Sequence, residues 1–372
     1  MPGPGFRSDV PYSLREGGRG EPGSLRAERN RFDQRLWEGV ARLLDRAISV
    51  EDLQWHRLEL LALSCWRGLG HPIPSQLAAM ARQAAMKSLA VPLLLRHVRN
   101  SCDGPIVLLK GPETAACYPE PLSRSFNDVD VLVPDAVGVQ RALIAAGFRP
   151  VGEERTFLDS HQMPPLYHPG FPLLVEVHRR PHWIDGIPPP PVEGLFEAAV
   201  ESVVPVAGIS ALPRVHHAIL HAVHAWAHEP LGGLRHLIDV AATRQGTTDA
   251  EADTLAAAWG IDRLWRTTTA AVDGLFFGGQ RSWPLRVWAR HLGSIRERTV
   301  LESHLSRWFT PFTLFSPGRA AGLALRAIGT DLRPIADENW GTKVWRARKA
   351  IGNAFVRRSG HHAQLVRPAT QP

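Results

Sequence analysis

Cysteine is scarce: Cys65, Cys102 and Cys117 are the only three in 372 residues. Three scattered cysteines fit neither a disulfide framework nor a metal knuckle, and they point to a reducing cytoplasm. Long apolar runs are missing as well. No stretch approaches the eighteen residues that mark a membrane span, and the opening Met1-Pro2-Gly3-Pro4-Gly5 lacks the apolar region of a signal peptide. Lysine occurs only at Lys87, Lys110, Lys343 and Lys349, so arginine carries almost all of the basic charge behind the formal +7. With abundant Ala, Gly and Pro, that bias reads as a coding background. It supports general attraction to anions, nucleotides included, and argues against a specific nucleic-acid partner. Two catalytic signatures are absent too. No glycine-rich loop ends in Gly-Lys-Ser/Thr and no His-Glu-x-x-His occurs, which excludes the Walker-type and zincin routes.

Along the chain the texture changes several times. Residues 1–26 are rich in Gly, Pro, Arg and Ser without periodicity and are expected to be disordered. Residues 27–100 read as a helical segment. Phe32, Leu36, Val40, Leu43 and Leu44 recur at helical spacing, a second helix fits 51–66, and a third fits 75–98 with Pro92 expected to kink or split it. Residues 101–185 read as a small α/β core. Its strands are predicted at Ile106–Leu109, Asp128–Val133 and Leu173–His178, with a helix over 135–146 closed by Gly147. Gly186-Ile187-Pro188-Pro189-Pro190-Pro191 is a stiff connector. Residues 192–358 read as a C-terminal helical domain, with helices over 213–227, 233–244 and 251–277, and 359–372 as a loose tail.

The chemistry concentrates in the α/β part. Alternation along a strand puts Asp128 and Asp130 on one face and Val129 and Val131 on the other. Two adjacent carboxylates repel and need a compensating cation, for which Mg²⁺ with substrate phosphates is the usual solution. Lys110-Gly111 follows a buried strand and precedes a short helix, so a glycine turn, unpaired backbone N–H groups and an ammonium converge as an anion site. Glu176, on the mixed face of the Leu173–His178 strand, supplies a third carboxylate for a metal or for proton transfer. His217, His221, His224 and His228 fall at i, i+4, i+7 and i+11 on one helical face. Packing, the lining of a cleft together with His178 and His182, or a zinc site are the readings of that stripe.

Taken in order, Leu109-Lys110-Gly111, Tyr118-Pro119, Arg124, Asp128-Val129-Asp130-Val131, Ala146-Gly147-Phe148, Val175-Glu176-Val177-His178 and Leu234-Arg235-His236-Leu237-Ile238-Asp239 resemble the uncharacterised bacterial nucleotidyltransferase-like family of the polymerase-β superfold. The resemblance implies an α+β protein, a small mixed-sheet nucleotidyltransferase core flanked by N- and C-terminal helical segments. It implies two Mg²⁺ ions on Asp128, Asp130 and Glu176, and a triphosphate held by Lys110, Gly111 and Arg124. The glycine motif departs from the usual Gly-Ser or Gly-Gly, since here it is Lys-Gly-Pro. The implied activity is transfer of a nucleotidyl group from an NTP to an unidentified acceptor: a small molecule, peptide or protein. The alternatives are phosphoryl transfer on the same scaffold, or a non-catalytic accessory protein of a biosynthetic pathway.

Overall fold

The computed structural model describes residues 23–357, apart from positions 48, 69, 71, 72, 74, 153–156, 158, 228 and 335–337. The expected loose tail and most of the expected disordered start lie outside the described residues; 23–26 open the first helix. Seven strands form one mixed sheet: β1 (Ile106–Leu108), β2 (Asp128–Leu132), β3 (Arg149–Pro150), β4 (Leu166–Tyr167), β5 (Leu174–His178), β6 (Val200–Glu201) and β7 (Ile209–Ala211). Their spatial order is β3-β4-β5-β2-β1-β7-β6. At the centre, β2 runs parallel to β5 and antiparallel to β1, and β1 runs parallel to β7. The strands β6 and β7 come from beyond the proline-rich connector, so that connector does not mark the edge of the sheet. At two and three residues they are too short to show a periodicity.

Four helices precede the sheet: α1 (Gly23–Leu44), α2 (Val50–Trp55), α3 (Glu59–Gly68) and α4 (Ser75–Ser101). Between strands lie α5 (Pro112–Ala115), α6 (Ala136–Ala145) and α7 (Val192–Glu197). After β7 come α8 (Arg214–Ala227), α9 (Leu234–Arg244), α10 (Asp249–Ala258) and α11 (Asp262–Phe276). The short α12 (Trp283–Val287) and α13 (Arg290–Gly293) follow, then α14 (Val300–Leu314), α15 (Pro317–Leu332) and α16 (Trp340–Gly352). Among the described residues no helix is long and apolar enough to cross a membrane.

Three helical expectations differ from the structure. The helix expected over 51–66 is two, α2 and α3, with Arg57 at φ +55° in the turn between them. Pro92 does not split α4, which runs unbroken from Ser75 to Ser101. Proline has no N–H to give the helical ladder, but Val91, Leu94, Leu95 and Val98 bury one face of the helix, and packing outweighs that loss. The single helix expected over 251–277 is two, α10 and α11. Gly260, at φ +69°, turns the chain between them through a conformation that suits glycine.

The sheet is covered on both faces, which is why its central strands read as near-continuous apolar runs. On one face Ile106, Leu108, Val129, Val131, Val175 and Val177 pack with the α4 side chains and Leu143 of α6. On the other, Val107, Leu109 and Leu132 join a larger core built from α1, α8, α9 and α11. Asp128 and Asp130 share the Leu132 face, because side chains two apart point the same way. The carboxylates therefore face α8 and α9, and a cavity separates them from those helices.

Candidate active site

Parallel pairing of β2 with β5 sets the centre of the site. Asp130 lies opposite Glu176, and Leu132 opposite His178. The Asp130 side chain is fully buried. Its Oδ1 accepts from Lys110 Nζ at 3.1 Å and from His178 Nε2 at 2.9 Å, while Oδ2 is buried with no partner among the described residues. His178 Nε2 also lies 3.6 Å from Glu176 Oε2. Burial by itself opposes ionisation of Asp130, but Lys110 and the His178 hydrogen bond overcome it and hold the carboxyl well below the usual range. Asp128, at the half-buried end of β2, is pushed the other way by burial and by its neighbour Asp130. One strand thus carries a firmly ionised carboxylate beside one whose ionisation burial and its neighbour oppose. Burial opposes charge on Lys110 as well, yet Asp130, Asp128 and Glu176 keep its pKa raised. His178 is raised likewise, its burial outweighed by hydrogen bonds to Asp130 and Glu176.

Lys110 leads into Gly111, which adopts φ +79° and caps the short α5. That φ belongs to the left-handed side, where a Cβ is strained. The turn is anchored from two sides. The Leu109 carbonyl accepts from His217 Nδ1 at 2.9 Å, and the Gly111 carbonyl accepts from Arg124 Nη1 at 3.3 Å. Arg124 in turn grips Asp239 of α9 with two nitrogens, and Tyr118 donates its hydroxyl to the same carboxylate at 2.7 Å. Burial works against this anion, and the Arg124 guanidinium still holds Asp239 far below the carboxylate range. Thr114 Oγ1 lies 2.8 Å from His221 Nε2.

These parts surround a cavity of about 670 Å³, large enough for a nucleotide-sized ligand. Lys110, Gly111, Arg124, Asp128, Asp130, Glu176 and His178 line it. His221 and His224 of the helical stripe line it too; His217 instead clamps the Leu109 carbonyl, and His228 lies outside the described residues. An imidazole wall crosses the cavity from sheet to helices. His161 contacts His178 and stacks on His182, His182 meets His224, and His224 meets His236, with centroids 5.4, 4.3, 5.9 and 4.8 Å apart.

Among the described residues, one group of three metal-capable side chains has its ligand atoms within 4.8 Å of one another: Asp130, Glu176 and His178. A buried, ionised carboxylate with an unpartnered oxygen is a costly arrangement unless a cation or donor meets it. The residues present therefore fit a divalent cation, with His178 as a nitrogen neighbour; the sequence expectation for His178 is cleft lining alone, although strand alternation already puts it on the Glu176 face. Sequence reasoning missed the contributions of Thr114, His161, His236, Arg57 and Arg235. Arg235 and His236 stand in the quoted Leu234–Asp239 segment, which was the available signal; Arg57 carried none.

A mixed sheet sandwiched by helices, with paired carboxylates facing a cavity beside a Lys-Gly turn, defines a nucleotidyltransferase-type α+β fold. The family model described as an uncharacterised nucleotidyltransferase matches residues 47–276, more than half of the chain, and the protein belongs to that family. No curated protein and no solved structure matches it.

Proposed function

We propose that the protein is a Mg²⁺-dependent nucleotidyltransferase that moves a nucleotidyl group from an NTP to an acceptor hydroxyl, phosphate or amine. The observation that carries this reading is the Asp130 carboxylate: buried, ionised, and with Oδ2 unpartnered beside Glu176 in a nucleotide-sized cavity. Asp128, Asp130 and Glu176 would hold the metal, with His178 beside them. When bound, the metal supplies neutralisation of phosphate charge and activation of the attacking group. Lys110 and the Gly111 turn receive the phosphates, and Arg124 fixes that turn through its bond to the Gly111 carbonyl. The acceptor oxygen or nitrogen forms a bond to the α-phosphorus as the bond to the bridging oxygen breaks, pyrophosphate leaves, and Glu176 takes the acceptor proton. No nucleophilic Ser or Cys is required.

The reading is tested by incubating purified protein with Mg²⁺ or Mn²⁺ and each labelled NTP, with and without cell extract as acceptor source. Label transfer that disappears in the Asp128→Asn/Asp130→Asn double variant supports it. A folded protein with no metal-dependent nucleotide binding by calorimetry sinks it.

A further inference from the structure

The wall of the cavity facing the carboxylates is basic, and nothing in the proposed chemistry so far uses it. Arg235, in the first turn of α9, and Arg57, just after α2, both line the cavity. Arg235 donates through Nη1 to the Ser125 carbonyl at 2.9 Å, while its Nε is buried with no partner among the described residues. Among the described residues neither arginine has a carboxylate within ion-pair distance. This contrasts with Arg124, one of whose neighbours is Asp239 at 2.7 Å. Burial and the nearby Arg124 depress the Arg235 guanidinium to about 10, so the folded chain bears a cost at this position.

A guanidinium that faces a cavity without an ion-pair partner of its own is a binding group for an anion. Among the described residues, Asp239 is the carboxylate that acts most on Arg235, but it lines the cavity already paired with Arg124 at 2.7 Å. Glu59 and Asp128 also feel Arg235, and Glu59 is itself pushed by burial toward its protonated form. The imidazole nearest in sequence, His236, is held neutral, since burial and Arg235 depress it to about 3. Gly232 and Gly233 line the same wall and lead into α9, whose amino end adds partial positive charge toward the cavity. Arg57 adopts φ +55°, a backbone conformation uncommon for a side-chain-bearing residue.

The geometry points to an anion subsite built from Arg57 and Arg235, on the helical wall across from Asp128, Asp130 and Glu176, that takes a phosphate group. A guanidinium fork suits phosphate because it can donate two parallel N–H bonds. The cavity is then bipolar, with a carboxylate end for a cation and a guanidinium end for an anion. Two sources carry the same chemistry: the β,γ-phosphates of the nucleotide, or a phosphate on the acceptor. Naming either source rests on the transfer reading; the anion subsite does not.

The test is therefore made without metal. Tripolyphosphate, inorganic phosphate, ATP and AMP are titrated by calorimetry into the full chain in EDTA, using wild type, Arg235→Met, Arg57→Met and Asp130→Asn. Wild type is expected to bind tripolyphosphate, and each arginine variant to weaken that binding tenfold or more. Asp130→Asn, which removes a negative charge from the far end, should bind tripolyphosphate at least as tightly as wild type. If Arg235→Met weakens ATP but not AMP, the subsite holds the nucleotide tail. If it weakens inorganic phosphate and leaves ATP unchanged, the subsite holds an acceptor phosphate. The exposed Arg57→Met keeps the test sound should Arg235→Met unfold, as followed by circular dichroism. Wild-type affinities in folded arginine variants, or no anion binding by folded wild type, overturn the subsite. Loss of metal-dependent transfer with anion binding intact would instead count against the transfer reading alone.

Discussion

Arg124 and Asp239, 115 positions apart in sequence, meet as a bidentate ion pair with Nε–Oδ1 at 2.7 Å and Nη2–Oδ2 at 2.8 Å. Both side chains are buried, at 3% and 1% exposure. The pair bolts α9 to the segment that enters β2, and through the Gly111 carbonyl it reaches the Lys-Gly turn. Removing one partner strands a buried charge. Asp239→Leu should cost about 3–5 kcal/mol in urea unfolding, whereas Arg124→Met/Asp239→Leu should recover much of the loss. A loss below about 1 kcal/mol in the single variant would show that the pair does not hold the two halves together.

The unpartnered Asp130 Oδ2 makes a prediction about cations. Mn²⁺ titrated calorimetrically into Asp130→Asn should bind at least about tenfold more weakly than into wild type, because an ionised ligand is lost. His178→Phe should weaken Mn²⁺ and also erase nitrogen couplings from the bound ion in pulsed electron paramagnetic resonance. Wild-type spectra and affinities in both variants would remove Asp130 and His178 from the cation site.

At Gly111, a methyl group has space, with its nearest neighbour the Asp128 carbonyl at 3.6 Å, but the φ of +79° disfavours it. Gly111→Ala should lose about 1–2 kcal/mol of stability and also weaken nucleotide binding, since relaxing the turn moves Lys110. Gly260→Ala, at φ +69° and remote from the cavity, should lose similar stability with nucleotide affinity unchanged. Equal effects of the two substitutions on nucleotide binding would deny the turn a role.

Acid sensitivity follows from the buried imidazoles. Burial lowers His56 and His217 to about 4 and His236 to about 3. His56 shows why: Nδ1 accepts from the Leu234 N–H at 3.2 Å, which leaves Nε2–H to donate to the Arg296 carbonyl at 2.9 Å, so the neutral ring is already satisfied. A base whose folded pKa is depressed contributes full stability above its unfolded value near 6.5 and loses it as pH falls toward the folded value. Between pH 7 and 5.5, above the main carboxyl range, these rings should together cost a few kcal/mol, about 1 kcal/mol each. His178 works the other way, because its raised pKa adds stability below about 6.5 that is lost as pH rises through the folded value. His221 and His291 are held well below the usual imidazole range by burial too, so the lowered rings outnumber the raised one. Urea unfolding that is flat across that interval would contradict the neutral assignment.

Much of the sheet was legible because its signals are local. Ile106–Leu108 is a short continuous apolar run, while Asp128–Leu132 and Leu174–His178 carry polar residues at alternate positions, and that period-two alternation names the face of each carboxylate. The extent of α6 was legible too, since the helix expected over 135–146 and closed by Gly147 is Ala136–Ala145; the structure adds that Asp135 caps it by accepting from the Gly138 N–H. The strands β6 and β7 were not, because two or three residues pair only when a neighbouring edge is already in place. Arg235 likewise looks like any first-turn helix residue until the unpaired state of its Nε is known.

By itself, then, the sequence determined which residues could do chemistry: it placed Asp128 with Asp130, set Lys110 before a glycine, and put Glu176 and His178 two apart. Periodicity and turn chemistry act over a few residues and survive without the rest of the chain. Only the tertiary structure decided who meets whom. It set Asp130 opposite Glu176, gave Lys110 and His178 to one oxygen and left the other open, bound Arg124 to Asp239, and, among the described residues, left Arg57 and Arg235 with no carboxylate at ion-pair distance. Those outcomes depend on strand register, helix packing and the low dielectric of the buried cavity, which exist only once distant segments have come together.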